Sequence, residues 1–133
     1  MHIHILGIVG SMTANLAIQL QKTGNIVTGS DQEKIFPPFS NLLKKAKIPV
    51  NTTEINKNID LVIVGSSYQS FKQTQEEFYQ AKKLHIPYVS ATEYLSQNLV
   101  KKNSIVIAGS FGKTTITSLV SWIFSQAHKK PSY

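Results

Sequence analysis

Short apolar runs alternate along the chain with longer segments in which apolar residues recur every three or four positions. The short runs predict β-strands at residues 2–6, 25–29, 60–65, 87–90 and 104–108, with one more short strand at 50–52. The longer segments predict α-helices at residues 13–22, 39–47, 72–84, 91–99 and 113–126. Such alternation predicts an α/β fold with a Rossmann-like, doubly wound parallel sheet.

A domain boundary is expected at Lys101, Lys102 and Asn103, because a fresh strand, loop and helix follow them. Residues 1–102 then form the first domain, and residues 103–133 form the start of a second one. A lone strand and helix cannot bury their own apolar faces. Either they pack on the first domain or the second domain is truncated. Trp122 and Phe124, at helical spacing, are expected in a core.

The most specific motif follows the strand at 104–108 and reads Gly109, Ser110, Phe111, Gly112, Lys113, Thr114, Thr115. A G-x-x-G-K-T-T run between a buried strand and a helix is typical of a nucleotide phosphate loop. Glycines let the backbone turn tightly and aim N–H groups at phosphate oxygens. In such loops the lysine contacts the β- and γ-phosphates and the following hydroxyl binds Mg²⁺, here Lys113 and Thr114. ATP and Mg²⁺ are the predicted cofactors. The alternative interpretation is an ordinary glycine-containing turn with an incidental lysine.

A second glycine loop, residues 7–14, follows the first predicted strand, and Asp31 ends the second strand. Gly7 and Gly10 allow a phosphate to approach the N-terminus of the first helix, while Asp31 can accept from ribose hydroxyls or a base N–H. Thr13 and Ala14 stand where a dinucleotide fingerprint has its third glycine, which argues against a nicotinamide cofactor. The pattern favours another nucleotide over a plain turn.

Other polar residues carry weaker signals. Ser66 and Ser67 follow the strand at 60–65, at the edge where α/β sheets place ligands, and an ordinary polar turn is equally consistent with them. His2 and His4 share one strand face without a carboxylate nearby in sequence, so we interpret them as structural rather than metal-binding.

Charge and composition argue against some classes of protein. The net charge of +7 comes from lysines alone, dispersed over predicted helices without interleaved aromatics, so no nucleic-acid partner is expected. No apolar run approaches the ~20 residues of a membrane span. The N-terminal apolar stretch has no basic region before it, which favours a buried strand over a signal peptide. The absence of cysteine suits a cytoplasmic location.

Together these motifs resemble the N-terminal part of the Mur ligases over essentially the whole chain. The segments that carry the resemblance are residues 2–10, 27–31, 37–38 with 42–43, 60–65, 86–90 and 108–115. The Pro-Pro and Ile-Pro-Tyr segments favour the branch that couples UDP-N-acetylmuramate to the tripeptide L-Ala-γ-D-Glu-meso-diaminopimelate. The branch that adds L-alanine is the alternative within the family, and a stand-alone dinucleotide-binding module or a regulatory partner of an intact ligase is the alternative outside it.

The resemblance implies a three-domain enzyme of peptidoglycan synthesis or recycling, in which ATP phosphorylates the muramyl carboxylate and an amine displaces the phosphate. It places Gly7, Gly10 and Ser11 by the UDP diphosphate, Asp31 near the uridine, and Ser66 with Ser67 near the sugar and diphosphate. The chain departs from the family in two places. Ser110 and Phe111 replace the usual Thr-His pair, and Thr13, Ala14 and Asn15 replace a more glycine-rich stretch.

The resemblance also implies what this polypeptide does not include. The remaining Mg²⁺ ligands, the adenine pocket and the amine-substrate domain of the family would lie beyond Tyr133. This chain alone is therefore expected to bind the UDP substrate at most and to ligate nothing.

Overall fold

Four parallel strands form the sheet of the first of two units, Met1–Leu99 and Val100–Tyr133, in the computed structural model of this chain. The structure describes residues 1–51, 54–98, 104–129 and 131. The strands are β1 (His2–Leu6), β2 (Ile26–Ser30), β3 (Leu61–Val64) and β4 (Tyr88–Ser90), in the spatial order β2-β1-β3-β4. Their parallel register brings all four carboxyl ends to one edge of the sheet.

Helices cover both faces of this sheet. They are α1 (Ser11–Lys22), α2 (Phe39–Lys45), α3 (Lys72–Lys83) and α4 (Ala91–Asn98), with a 3-10 helix at Ser66–Ser70. Because side chains alternate across a strand, Ile3 and Ile5 pack into one core with α1, while Leu6 packs into a second core with Val62 and α3. The doubly wound parallel sheet predicted from the sequence is confirmed.

Most element boundaries differ from the predicted ones by one or two residues. The predicted strand at 50–52 is a single bridge between Gly29 and Val50, and Thr52 lies outside the described residues. The expected boundary at residues 101–103 and the predicted last residue of α4, Leu99, also lie outside them. None of the helices within the described ranges has the length and apolar content that crossing a bilayer requires.

The second unit contains one helix, α5 (Lys113–Gln126), among its described residues. The predicted strand at 104–108 is not formed, because a strand needs a partner and the described part of this unit offers none. Two further expectations were wrong: Trp122 is 61% exposed and Phe124 is 39% exposed, so neither lies in a core here. The two residues are two positions apart, which places them on different faces of α5, so a single covering surface could not bury both.

Candidate functional site

The loops that follow β1 and β3 meet at the carboxyl edge of the sheet. Gly7 has a φ of +72°, and a β-carbon on it would lie 2.5 Å from the Oγ atom of Ser67. Gly65 has an ordinary φ, but a β-carbon there would lie 2.8 Å from the carbonyl oxygen of Leu6. Glycine at these two positions therefore permits a close approach of the loops, which brings Gly7 and Ser67, predicted separately, into contact.

The first glycine loop is held by the end of β2. The N–H groups of Gly7 and Ile8 both donate to the carbonyl oxygen of Ser30, at 2.8 and 3.1 Å. The next N–H group, from Val9, donates to the Oδ2 atom of Asp31 at 2.7 Å. Three consecutive donors are thus already used inside the protein, and the loop is fixed before any ligand arrives.

The next backbone N–H groups along the chain belong to the start of α1. Gly10 is the N-cap residue, no side chain caps the helix, and the first helical bond runs from Ala14 N–H to Gly10 O at 2.9 Å. The N–H groups of Ser11, Met12 and Thr13 come before that bond, at the positive end of the helix dipole. This end of α1 is suited to bind an anion such as a phosphate.

Asp31 accepts a hydrogen bond from the first glycine loop, whereas the sequence predicted only a contact with a ribose or a base. It is only 4% exposed, and its Oδ1 atom accepts the N–H of Gln32 while Oδ2 accepts that of Val9. Its own N–H donates to the Oδ1 atom of Asn51, whose amide in turn donates to the carbonyl of Gln32. The predicted contact between Asp31 and a ribose or base stays a prediction.

The first unit has two open grooves, with volumes of about 290 and 180 Å³. The smaller adjoins the loops and is lined in part by Met12, Gly65, Ser66, Ser90 and Thr92. The larger runs along α3 between aromatic side chains and Lys82, and it includes no residue of the first glycine loop. The smaller groove is the one that belongs to the candidate site, because it joins the exposed Ser66 to the start of α1.

A buried polar network lies under the same edge. His4 is fully buried, its Nδ1 atom is hydrogen-bonded to Thr28 Oγ1 at 2.8 Å, and its Nε2 atom lies 3.6 Å from Glu77 Oε2. That last distance is too long for a hydrogen bond, so Nε2 lacks a hydrogen-bond partner. The Oγ of Ser30 donates to Glu77 and thereby connects α3 to the end of β2.

This environment sets the charge of Glu77. Burial raises the pKa of this carboxyl, but the neighbouring His4 and the hydrogen bonds from Ser30 and Gln73 outweigh burial and hold the pKa below its usual range. Among the described residues, no three histidine, cysteine or acidic side chains gather as a metal site would require. We interpret the contact of His4 with Glu77 as structural, because it joins β1 to α3 in the buried network.

The second predicted site, in the other unit, opens α5. Gly112 is the N-cap residue, with a φ of +75° that glycine adopts without strain. The Lys113 Nζ atom turns back over the loop and donates to the carbonyls of Gly109 and Ser110, at 2.7 and 3.3 Å. The ammonium group is therefore held against the loop backbone by two carbonyl oxygens. Phe111, Thr114 and Thr115 are exposed.

The family description "Mur ligase family, catalytic domain" matches residues 2–103, which is most of the chain. The chain belongs to the Mur ligase family. Among curated Mur ligases, the UDP-N-acetylmuramate–L-alanyl-γ-D-glutamyl-meso-2,6-diaminoheptandioate ligase of Escherichia coli is 33% identical over 100% of this chain and 29% of its own length. The UDP-N-acetylmuramate–L-alanine ligase of Persephonella marina is 37% identical over 98% of this chain and 28% of its own.

A solved Mur ligase has the same fold. The crystal structure of a murein peptide ligase from Psychrobacter arcticus superimposes with a TM-score of 0.79 and 32% identity, covering 96% of this chain and 27% of that one. The chain thus spans less than a third of the length of these relatives. The resemblance to the Mur ligases predicted from the sequence is confirmed.

The roles of several residues at the first site of this Mur ligase chain were not predicted from the sequence. These residues are Thr13, Ser30, Asn51, Glu77 and Ser90. Only Ser90 had a local signal: it precedes Glu93 in an S-x-x-E pattern, and its Oγ accepts the N–H of Glu93 at 3.2 Å. The hydrogen bonds from Ser30 to Glu77 and from Asp31 to Asn51 join residues 47 and 20 positions apart, so no local pattern could identify them.

Proposed function

We propose that this chain supplies the UDP-N-acetylmuramate-binding part of a Mur ligase, together with the first segment of its ATP site. The parent reaction is the ATP-dependent joining of UDP-N-acetylmuramate to the peptide L-Ala-γ-D-Glu-meso-diaminopimelate through an acyl phosphate. One observation carries the proposal: a fixed glycine loop leads into the start of α1, where the N–H groups of Ser11, Met12 and Thr13 precede the first helical hydrogen bond.

The rest of the substrate has residues suited to it around this anion site. The UDP diphosphate lies at Gly7, Gly10 and Ser11, and the uridine lies towards Asp31. Ser66 and Ser67 face the sugar and diphosphate from the loop after β3, which approaches within contact distance of Gly7. Hydroxyl groups and backbone N–H groups are appropriate partners for a phosphosugar, because they bind its oxygens without requiring a fixed charge.

The second site holds the triphosphate of ATP. The residues fit such a group, since Gly112 permits the turn that begins α5 and the Lys113 ammonium is already held over the loop by Gly109 and Ser110. Thr114 would bind Mg²⁺, which neutralises charge on the transferring phosphoryl group when it is bound. Lys113 stabilises that same charge and is the catalytic residue this chain contributes.

Amide NMR titration tests the substrate assignment. Addition of UDP-N-acetylmuramate should shift the amide signals of Gly7, Gly10, Ser11 and Ser67 and leave those of α5 unchanged. NAD⁺ at the same concentration serves as the control and should have no such effect. An unchanged spectrum at millimolar UDP-N-acetylmuramate, or an equal response to NAD⁺, would count against the proposal.

A second candidate is the ligase that adds L-alanine to UDP-N-acetylmuramate. It is supported by relatives of that name with identities as high as those of the peptide ligases, over the same share of the chain. Both candidates use the same UDP substrate, so the titration supports them equally. Incorporation of L-alanine against tripeptide by the full enzyme distinguishes them.

A further inference from the structure

Thr13 lies in the first loop where a dinucleotide fingerprint has its third glycine, and its side chain is buried. The residue is 4% exposed although it lies in the first turn of α1. Its Oγ1 atom is 2.8 Å from the carbonyl oxygen of Gly7 and 3.2 Å from the backbone nitrogen of Gly10. The hydroxyl therefore joins the two glycines of the loop.

The Thr13 hydroxyl both donates and accepts a hydrogen bond in this loop. A hydroxyl has one proton, and the short distance to Gly7 O directs it there rather than to the carbonyls of Ile8 and Gly10, at 3.2 and 3.4 Å. A lone pair of the same oxygen then accepts the N–H of Gly10. Since the N–H groups of Gly7, Ile8 and Val9 donate to the end of β2, Thr13 satisfies the remaining donor of the loop.

The surroundings leave little room for movement of this hydroxyl. A β-carbon on Gly10 would lie 2.9 Å from Thr13 Oγ1, and one on Gly65 would lie 3.0 Å from the Thr13 methyl group. Thr13 thus contacts the loop after β1 through its hydroxyl and the loop after β3 through its methyl. These are the two loops that the proposed function assigns to the diphosphate and the sugar.

We propose that Thr13 is a positioning residue for the UDP-sugar: its hydroxyl holds the first loop in the binding conformation, in place of the missing third glycine. The side chain itself does not contact the ligand. It fixes Gly7 and Gly10 so that the N–H groups at the start of α1 are presented without a further ordering cost when the ligand binds. This inference rests on the proposed function, because it needs a ligand at that loop.

Two substitutions separate the hydroxyl of Thr13 from the bulk of its side chain, and a third serves as the control. Thr13→Val keeps the shape and removes the hydroxyl, while Thr13→Ser keeps the hydroxyl and removes the methyl. Thr23→Val is the matched control: Thr23 lies just after the other end of α1, and its hydroxyl also donates to a backbone carbonyl, that of Leu20, at 2.8 Å. Thermal unfolding of each variant shows whether it is folded.

Two measurements are made on each protein. The first is hydrogen exchange of the Gly10 amide without ligand, and the second is the Kd for UDP-N-acetylmuramate by calorimetry. Thr13→Val should accelerate Gly10 exchange and raise the Kd about 5- to 10-fold, the effect of one lost hydrogen bond. Thr13→Ser should restore both values to within about 2-fold of the unsubstituted chain, and Thr23→Val should change neither.

Wild-type exchange and affinity in Thr13→Val would overturn the inference, as would a Thr13→Ser variant as impaired as Thr13→Val. Should Thr13→Val not fold, the comparison of Thr13→Ala with Thr13→Ser replaces it. Failure of the unsubstituted chain to bind UDP-N-acetylmuramate would contradict the proposed function instead. Gly10 exchange, measured without ligand, then still decides whether the Thr13 hydroxyl holds the loop.

Discussion

The Oδ2 atom of Asp31 accepts the N–H of Val9 at 2.7 Å, joining the end of β2 to the glycine loop that follows β1. The two residues are 22 positions apart in the chain, and the carboxylate is buried. A buried acceptor that is removed leaves its donors unsatisfied, which costs more than the bond itself contributes. The loop that presents the proposed anion site therefore depends on Asp31 even without ligand.

Asp31→Ala is expected to lower the free energy of unfolding by at least about 2 kcal/mol, because the N–H groups of Val9 and Gln32 both lose a charged acceptor. Asp31→Asn should cost less, since one acceptor oxygen remains. Urea denaturation measures both changes.

Asp60→Ala is the matched control for this pair of variants. Asp60 also accepts a backbone N–H at 2.7 Å, that of His2, but at an exposed position beside the amino end of β1. Its loss should cost about 0.5–1 kcal/mol. Equal losses for Asp31→Ala and Asp60→Ala would contradict the role given to Asp31.

Glu77 makes stability depend on acid pH. The pKa of Glu77 is lower in the folded chain than its ordinary value of 4.5, so the unfolded state takes up its proton first as pH falls. The stability that Glu77 contributes is complete well above pH 4.5 and is lost as pH falls through the folded-state pKa below it. Glu77→Gln should therefore flatten the decline in unfolding free energy from about pH 5 downwards.

Glu76→Gln provides the comparison on the same helix. Glu76 forms an exposed ion pair with Lys72, at 3.6 Å, and solvent screens such pairs. Its unfolding free energy at neutral pH should lie within about 0.5 kcal/mol of that of the unsubstituted chain. If Glu77→Gln and the unsubstituted chain decline in parallel, the contacts of Glu77 with His4 and Ser30 do not stabilise the fold.

Gly65 is expected to tolerate no β-carbon. A methyl group there would lie 2.8 Å from the carbonyl of Leu6, which belongs to the central strand and cannot move without disturbing the sheet. Gly65→Ala should cost about 1–3 kcal/mol. Gly24→Ala has open space around the new methyl group and should cost only the strain of its positive φ, about 1 kcal/mol.

Thermal melts of the two glycine variants compare these costs directly. A smaller loss for Gly65→Ala than for Gly24→Ala would show that the loops after β1 and β3 are not in close contact.

Lys113→Met is expected to weaken binding of Mg-ATP by about 10-fold or more, because an ammonium held over the loop contributes charge-assisted hydrogen bonds to phosphate. Lys129→Met is the control, since Lys129 is an exposed lysine of the same unit just beyond the other end of α5. Calorimetry of the full enzyme with Mg-ATP measures both, because the family resemblance implies that the adenine pocket lies outside this chain. An equal effect of the two substitutions would show that Lys113 acts only through the net charge of the protein and not through contact with the phosphates.

The sequence predicted the sheet because its signals are local. Runs such as Leu61–Val64 are apolar throughout, and glycine follows β1 and β3 where the chain turns. The same locality explains the error at residues 104–108, because an apolar run becomes a strand only when another strand pairs with it. Trp122 is exposed for a similar reason: the described part of its own unit contains no helix or strand besides α5 that could cover it.

Only the part of the candidate site that has local sequence signals was predicted. Glycines and hydroxyls of the loops were identified from their spacing, and the structure brings Gly7 and Ser67 together. The supports of the loop were not identified, because Asn51 and Glu77 reach it from elsewhere in the chain. Thr13 was noted only as a departure from a glycine pattern, since the direction of its hydroxyl is a property of the folded loop.

The most direct test of a UDP-sugar site in this chain is a crystal structure of the chain with UDP-N-acetylmuramate. We expect diphosphate oxygens within about 2.7–3.2 Å of the N–H groups of Ser11 and Met12, at the start of α1, with Thr13 still bonded to Gly7. A ligand bound instead in the aromatic groove along α3, or density for no ligand at saturating concentration, would contradict it.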